Sequence, residues 1–486
     1  MAGISEDNNR KSGLVARAGI WYIACNFINK GIGFLTTPIF TRILSKTVIG
    51  EFSNFLVWLN ILTLIITMDM HVTVPRARFD YEKDIDKYIS SITILSTFST
   101  LVFSFVIFMF KDFFCNIMGI SLNMLYMILL LILFSGSFQI FQIRHRLQYK
   151  YKMFAFLTLA LNVSSVLLSL LFVFLFKDKL AGRIIGYSVP RVIIYIILFC
   201  VLVYKGKGIK IEHVKYCLKI CLPYIPHLLS LYILSASDRT MIKTLCSAED
   251  LAIYSLGYSF GTLISLLASS MNQAWSPWLS EQLHNKLYKN TQKWSIYYIA
   301  LFMLFSFFLG LLAPEVVYIL GGKAYQESIY VLPPILTGII YQFIYTMYVN
   351  IETYNKKTIG MSIATCIAAG LNIILNYIFI PIFGFIAAAF TTLAGYAVLF
   401  LIHYYLVRRM GMTIVYKSKK VFLLLLISLV YIPIFYYFYY HTLQRYISIF
   451  AVVGLVLVVC YREKSKVVHF ISMIFPNFFN RRKGSV

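Results

Sequence analysis

Apolar runs of about twenty residues follow one another from residue 14 to residue 461, joined by links no longer than about twenty residues. Nothing constrains the fold more. At the 1.5 Å rise of an α-helix, such a run matches the hydrocarbon thickness of a bilayer. Backbone polar groups in that medium must be satisfied within the structure itself. About fourteen spans are expected, at 14–40, 49–72, 88–110, 118–142, 153–176, 181–204, 218–237, 251–273, 294–320, 328–350, 359–380, 384–407, 421–440 and 444–461. The fold class is an all-α membrane protein. Composition agrees: the chain is 60% hydrophobic and 13% charged, too few charges to keep a soluble core of 486 residues in solution. The links leave no room for a separate soluble domain.

The formal net charge of +25 first suggests a nucleic-acid partner, but position excludes it. The basic residues form no single patch. They sit in alternate links: "RARFDYEKDIDK", "RHRLQYKYK", "KGKGIKIEHVKYCLK", "HNKLYKNTQK", "NKK" and "RRMGMTIVYKSKK", together with both tails. That set holds about 32 Lys and Arg, and the opposite set about 10, which places both termini in the cytoplasm. The N-terminal "MAGISEDNNRKSG" is polar, and the run after it is too long for a cleaved signal peptide. The tail 466–486 is either an interfacial aromatic–basic segment or a frayed end. The 8 cysteines show no CxxC and no paired spacing. His213, Cys217 and Cys221 share a helical face, but over two turns they converge poorly on one ion, so no metal is expected.

A faint repeat relates "RILSKTVIGEFSNF" to "TLCSAEDLAIYSLGY", with Ser45, Gly50 and Ser53 falling on Ser247, Ala252 and Ser255. It restarts where a second six-span unit would begin. The expected organisation is an N-lobe over 1–210 (spans 1–6), a C-lobe over 211–415 (spans 7–12), and 416–486 carrying spans 13 and 14 and the tail.

On two stretches the chain resembles a known family. "TPIFTRILSKTVIGEFSNF" (37–55) and "CLPYIPHLLSLYILSASDRTMIKTLCSAEDLAIYSLGYSF" (221–260) are similar to the Wzx-type polysaccharide repeat-unit flippases of the multidrug/oligosaccharidyl-lipid/polysaccharide (MOP) exporter superfamily. The resemblance implies two six-helix lobes around a central cavity, with two extra C-terminal helices, working by alternating access. It implies transport of undecaprenyl-pyrophosphate-linked oligosaccharide from the cytoplasmic to the periplasmic leaflet of a bacterial inner membrane, for O-antigen or capsule synthesis. Membrane lipids, a polymerase and other polysaccharide assembly proteins are the implied partners. No cofactor is implied.

Two cations stand deep in spans. Lys30 is about sixteen residues into the first, at a cost of about 2.5–3.5 kcal/mol. Asn26, Lys30, Gly33 and Thr37 share one helical face, a stripe suited to a wet cavity. Arg191 follows Pro190 near the middle of span 6. Two roles fit both cations: a lumen-facing contact to a pyrophosphate, or a hydrogen-bonding role between helices. Asp69, Asp238, Glu315 and Glu352 all fall near span ends, so no deep anion is expected to neutralise them, which suits an anionic passenger.

Further candidates follow from position. Asp238 and Arg239 lie at the same end as Arg42, as a gate or as plain interfacial anchors. Arg76 and Arg78 after span 2, and Arg144 and Arg146 after span 4, either set topology or draw the lipid pyrophosphate to the cytoplasmic mouth. Gln139, Gln142, Asn162, Tyr341, Gln342 and Tyr345 suit sugar hydroxyls or packing between helices. His227 is a protonatable candidate for coupling, or a packing residue. No catalytic constellation and no GK[ST] phosphate loop is present. The rivals are a membrane polysaccharide polymerase, which the short periplasmic links disfavour, and a drug antiporter, which the missing deep carboxylate disfavours.

Overall fold

The computed structural model of the chain describes residue 28 and residues 31–148, 151–355, 357 and 359–462. Every regular element described is helical. Helix α1 covers residues 31–43. It is followed by α2 (Lys46–Thr67), α3 (Val74–Asp80), α4 (Ile85–Met109), α5 (Lys111–Met118), α6 (Leu122–Leu133), α7 (Ser135–Leu147), α8 (Tyr151–Leu175), α9 (Lys179–Gly206) and α10 (Ile211–Leu245). Then come α11 (Ala248–His284), α12 (Tyr288–Leu311), α13 (Ala313–Gly321), α14 (Leu332–Tyr354), α15 (Ile359–Phe383), α16 (Ile386–Arg409), α17 (Ser418–Tyr440) and α18 (Thr442–Arg462). Among the described residues, 11 stretches are long and apolar enough to cross a membrane. The chain is an all-α multi-pass membrane protein.

Local chemistry sets the helix starts. Ser45 caps α2 by accepting from the Val48 N–H at 3.3 Å, and Asp178 caps α9 by accepting from Leu180 and Ala181 at 2.9 and 3.2 Å. Ser247, which the repeat pairs with Ser45, caps α11: it accepts from the Asp250 N–H at 3.0 Å and donates to the Asp250 carboxylate at 2.7 Å. The two leading residues of the repeat therefore do the same work.

Three expected spans are interrupted. Hydropathy predicts span 2 to residue 72, but α2 stops at Thr67 because Met68 and Asp69 are both left-handed, at φ 50° and 44°. Span 4 breaks at Phe134, where Ser135, Gly136 and Ser137 follow; the Ser137 hydroxyl lies 2.6 Å from the Phe134 carbonyl and 2.8 Å from that of Tyr195. Span 9 breaks at Leu312, just before Pro314 in the first turn of α13. Conversely, α9 continues through Pro190.

The chain divides into two compact units, 1–255 and 256–486. The first is built on α2, α4 and α6–α10. One apolar cluster joins Phe55 and Leu59 of α2 to Leu125 and Ile128 of α6 and Ile184 of α9; another, toward the far end of α9, joins Tyr88 and Ile89 of α4 to Ile140, Leu198 and Cys217. In lipid such clusters gain little from leaving water, so close packing decides. Small residues permit it. A Cβ on Gly182 would stand 2.5 Å from the Phe172 carbonyl oxygen, and one on Gly206 would collide with the Asp86 backbone. In the second unit α14 packs against α12, α16 and α17. Of the stretch that ends in α14, 83% of the apolar window is buried, against 22% for α17. The first is a core helix of its unit; the second presents most of its surface outward.

Candidate functional site

Arg191 is the charge at mid-span depth. It is the thirteenth residue of the 28-residue α9, roughly 18 Å along its axis, and is buried. Nη1 donates to Ser165 Oγ at 2.5 Å and to the Tyr187 carbonyl at 2.8 Å, while Nη2 donates to Asn162 Oδ1 at 3.1 Å. The Tyr187 ring centroid lies 3.5 Å from the guanidinium carbon. Every one of these partners is neutral. Among the described residues no carboxylate comes within ion-pair distance of it. The group is a full positive charge held in place without being cancelled. Its partners on α8 can reach it because Gly186 seats against the Ser169 backbone. The same bonds tie α8 to α9, so Arg191 carries charge and also joins two helices. Arg191 and Asn162, read in the sequence as separate pyrophosphate and sugar contacts, are brought together.

Lys30 and Asn26 lie outside the described residues. Of their stripe, Gly33 and Thr37 are on α1, where the Thr37 hydroxyl donates to the Gly33 carbonyl at 2.9 Å. A further arginine, Arg183, sits two turns before Arg191. Its guanidinium carbon is 4.3 Å from the Phe40 ring and 4.1 Å from the Phe52 ring, which gathers α1, α2 and α9 around one cation. Arg183 lies near the start of its apolar run, where it reads as a span-edge residue.

At the other candidate positions, side chains settle on specific partners. Asp238 is 1% exposed; it accepts from the Tyr254 hydroxyl and, at 2.8 Å, from the Arg239 backbone N–H. Arg42 is exposed at the last turn of α1 and makes no hydrogen bond or ion pair among the described residues. The ion pair at that end is instead Lys243 to Glu51, at 2.5 Å. Beside it, Thr47 donates to Glu249 at 3.1 Å and Asn54 donates to the Met118 carbonyl at 2.9 Å.

The four mouth arginines differ sharply. Arg144 is buried and paired with Asp86 at the start of α4. Arg78 donates to the Leu147 carbonyl at 2.8 Å, and Arg76 lies 3.6 Å from Asp80 one turn on. Arg146 is exposed. Arg76 and Arg78 stand on the separate short helix α3, not on the end of α2.

Among the sugar candidates, Gln142 donates to Thr158 at 3.2 Å, and Gln139 is half-buried. In the second unit the Tyr341 hydroxyl reaches the Leu425 carbonyl at 3.5 Å, Gln342 is half-buried, and the Tyr345 ring stacks on Tyr396 and His403. His227 is on α10, but its side chain lies outside the described residues. Two of the four acids placed near span ends are nevertheless buried. Asp238 and Glu352 are each 1% exposed, because closeness to a span end does not bring exposure where neighbouring helices pack over it. Among the described residues Arg191 shares its burial with Arg144 and Arg445, which are 9% and 4% exposed near helix ends.

The fold has close counterparts. A lipid II flippase, MurJ, in an inward closed conformation superposes with TM-score 0.69 at 17% identity, covering 91% of this chain and 99% of that one. An inward-facing multidrug resistance MATE family transporter of the MOP superfamily gives 0.58 at 12%, covering 79% and 95%. A MOP superfamily transporter from Pyrococcus furiosus gives 0.56 at 13%, covering 82% and 96%. No curated protein matches the chain by sequence. Residues 223–378 match the MatE family, and residues 15–284, more than half of the chain, match the family described as polysaccharide biosynthesis protein. The architecture is that of a MOP-superfamily transporter. Within that superfamily the chain belongs to the polysaccharide biosynthesis protein family, of Wzx type.

Proposed function

We propose that the protein flips undecaprenyl-pyrophosphate-linked oligosaccharide repeat units across a bacterial cytoplasmic membrane by alternating access, supplying a surface polysaccharide such as O-antigen or capsule. The observation that carries this reading is Arg191, a mid-span guanidinium whose partners are all neutral. A diphosphate is a strong acceptor for such a donor. Family membership supplies the substrate class, and the alternation of basic links supports fourteen spans with both termini in the cytoplasm. Lys30 acts with Arg191 on the diphosphate. Asn162, Gln139, Gln142, Tyr341, Gln342 and Tyr345 are the amide and aromatic groups that suit sugar.

Deletion of the gene should cause lipid-linked repeat units to accumulate on the cytoplasmic leaflet, whereas loss of a polymerase would leave single units outside. At matched membrane protein levels, Arg191→Lys should retain part of the surface polysaccharide and Arg191→Gln should lose it. Normal display with Arg191→Gln would refute the role of its charge.

A further inference from the structure

Glu352 on α14 and His403 on α16 lie 2.7 Å apart, Oε1 to Nδ1, and each is 1% exposed. It is the most enclosed pairing of an acid with a basic side chain among the described residues. Stability alone explains such a pair poorly, since well-packed apolar residues in its place are often neutral or better. Among the described residues, no other charged side chain forms an ion pair with either member. On α14 the Tyr345 ring stacks on the imidazole at 5.5 Å and 12°, and Tyr348 follows one turn on. Helix α16 adds Tyr404, and Tyr416 packs its ring on Tyr348 at 5.3 Å. Of the elements packed on α14 and α16, α15 carries the exposed Cys366, α12 carries Tyr298, and the start of α17 carries the exposed Lys419 and Lys420; residues 323–331, packed on α14, carry Tyr325. None of these makes an ion pair with either member. Arg408, Arg409 and Lys357 lie beyond the pair, toward the helix ends.

One atom of the pair is conspicuous. With Glu352 ionised its carboxylate only accepts, so Nδ1 donates to it and the exchangeable position is Nε2. His403 Nε2 is buried and has no hydrogen-bond partner among the described residues. With a proton there, imidazolium and carboxylate sum to zero charge. Unloading breaks the Nε2–H bond, leaves its electron pair on nitrogen and passes the proton to water, so a net charge of −1 stays behind. A buried lone carboxylate is costly. Unloading therefore requires water to reach the pair, which means that α14 and α16 must part at that end. Glu352 is two residues from the end of α14, so the path is short.

We propose that Glu352 and His403 form a proton-exchange site, loaded and unloaded through His403 Nε2, that ties the packing of α14 on α16 to a proton gradient. The coupling to transport rests on the flippase reading above; the proton exchange itself does not.

The first test needs no substrate. Trp275 donates to the Tyr416 hydroxyl at 3.2 Å, and Tyr416 packs on Tyr348, so tryptophan fluorescence reports on this end of α14. In the purified full chain a pH step should change that fluorescence, and Glu352→Gln and His403→Gln should each abolish the change. The glutamine at 352 still accepts from Nδ1, and the exchanged pair Glu352→His with His403→Glu should restore the response in part. The second test uses proteoliposomes holding a pH-sensitive dye, with the membrane potential clamped and undecaprenyl pyrophosphate as probe. The wild-type chain should move protons several-fold above empty vesicles on an outside pH step, and both single variants should fall to that background. Folded single variants that respond as wild type, or a folded exchanged pair that stays silent, would overturn the proposal. A fluorescence response in a chain that flips nothing would refute the flippase reading alone. Flipping that ignores the pH step and both substitutions would refute the proton site alone.

Discussion

The Lys243 ammonium on α10 binds two elements at once: the Glu51 carboxylate on α2, at 2.5 Å, and the carbonyl of Gly119, the left-handed residue that ends α5. Lys243 is 12% exposed and Glu51 25%, so the pair is partly shielded from water. Lys243→Met should destabilise the purified protein by roughly 1–3 kcal/mol, between the values for exposed and fully buried pairs. Thermal unfolding in detergent measures it. The exchange Glu51→Lys with Lys243→Glu should recover part of the loss, and no recovery would assign the effect to the Gly119 contact.

Gly50 faces the carbonyl of Ala248, at a distance that leaves no room for a Cβ. Because the obstacle is backbone, no rotamer change relieves it. Gly50→Ala should lower both yield and melting temperature. Gly370 on α15 meets nothing within 4 Å, and Gly370→Ala should be neutral or stabilise by about 0.5–1 kcal/mol. Equal responses at the two positions would show that the close approach of α2 to Ala248 is wrong.

The four basic residues at the end of the first unit that carries the basic links should separate by burial. Arg144→Met leaves Asp86 without its partner and should cost about 1–3 kcal/mol. Arg76→Met, at an exposed i,i+4 pair, should stay within about 0.5 kcal/mol. Chemical or thermal unfolding of the two variants side by side decides.

Between α2 and α3, outside the spans, Asp69 and His71 oppose one another in pH dependence. Burial pushes the Asp69 carboxyl up to about 6. Burial, with the nearby positive charge of Arg146, pushes His71 down to about 4. The Asp69 contribution is present below about 3.8 and is lost as pH rises through 6; that of His71 is present above about 6.5 and is lost as pH falls through 4. The two largely cancel across pH 4 to 6.5. His71→Gln should make stability fall as pH rises through that window, and Asp69→Asn should make it fall as pH drops. Parallel pH profiles for the two variants would refute the assignment.

Lys30 and Arg191 should behave alike if both hold the diphosphate. Lys30→Arg should keep partial transport and Lys30→Met should lose it, with a binding cost on the order of 1.5–3 kcal/mol. Surface polysaccharide at matched protein levels is the measure. Normal display with Lys30→Met would leave Arg191 as the sole cation of the proposal.

Most helices were legible because hydropathy over twenty residues is a strong signal in lipid. Expected spans 88–110, 153–176 and 384–407 meet α4, α8 and α16 within a few residues. The breaks at Met68, Phe134 and Leu312 were not, because an apolar sum is blind to backbone conformation. Arg191 stood out by depth, since a charge in the middle of an apolar run has few explanations. Its partners did not, because Asn162 and Ser165 are ordinary polar residues until α8 lies against α9. The pairing of Glu352 with His403 escaped for the same reason: 51 residues separate them, and no periodicity links one helix to another two places on.

Helix α10 runs for 35 residues, about 52 Å, while a bilayer's hydrocarbon is about 30 Å thick. A rod of that length cannot stand upright in the membrane with both ends at its surfaces; it leans, or it projects into water. Each degree of lean carries its far end roughly 0.9 Å sideways. Lys243, two residues from that end, therefore travels much farther than the middle of the rod for the same rotation. Lipid thickness thereby becomes a setting of the protein, because a thinner bilayer favours more lean and a longer reach.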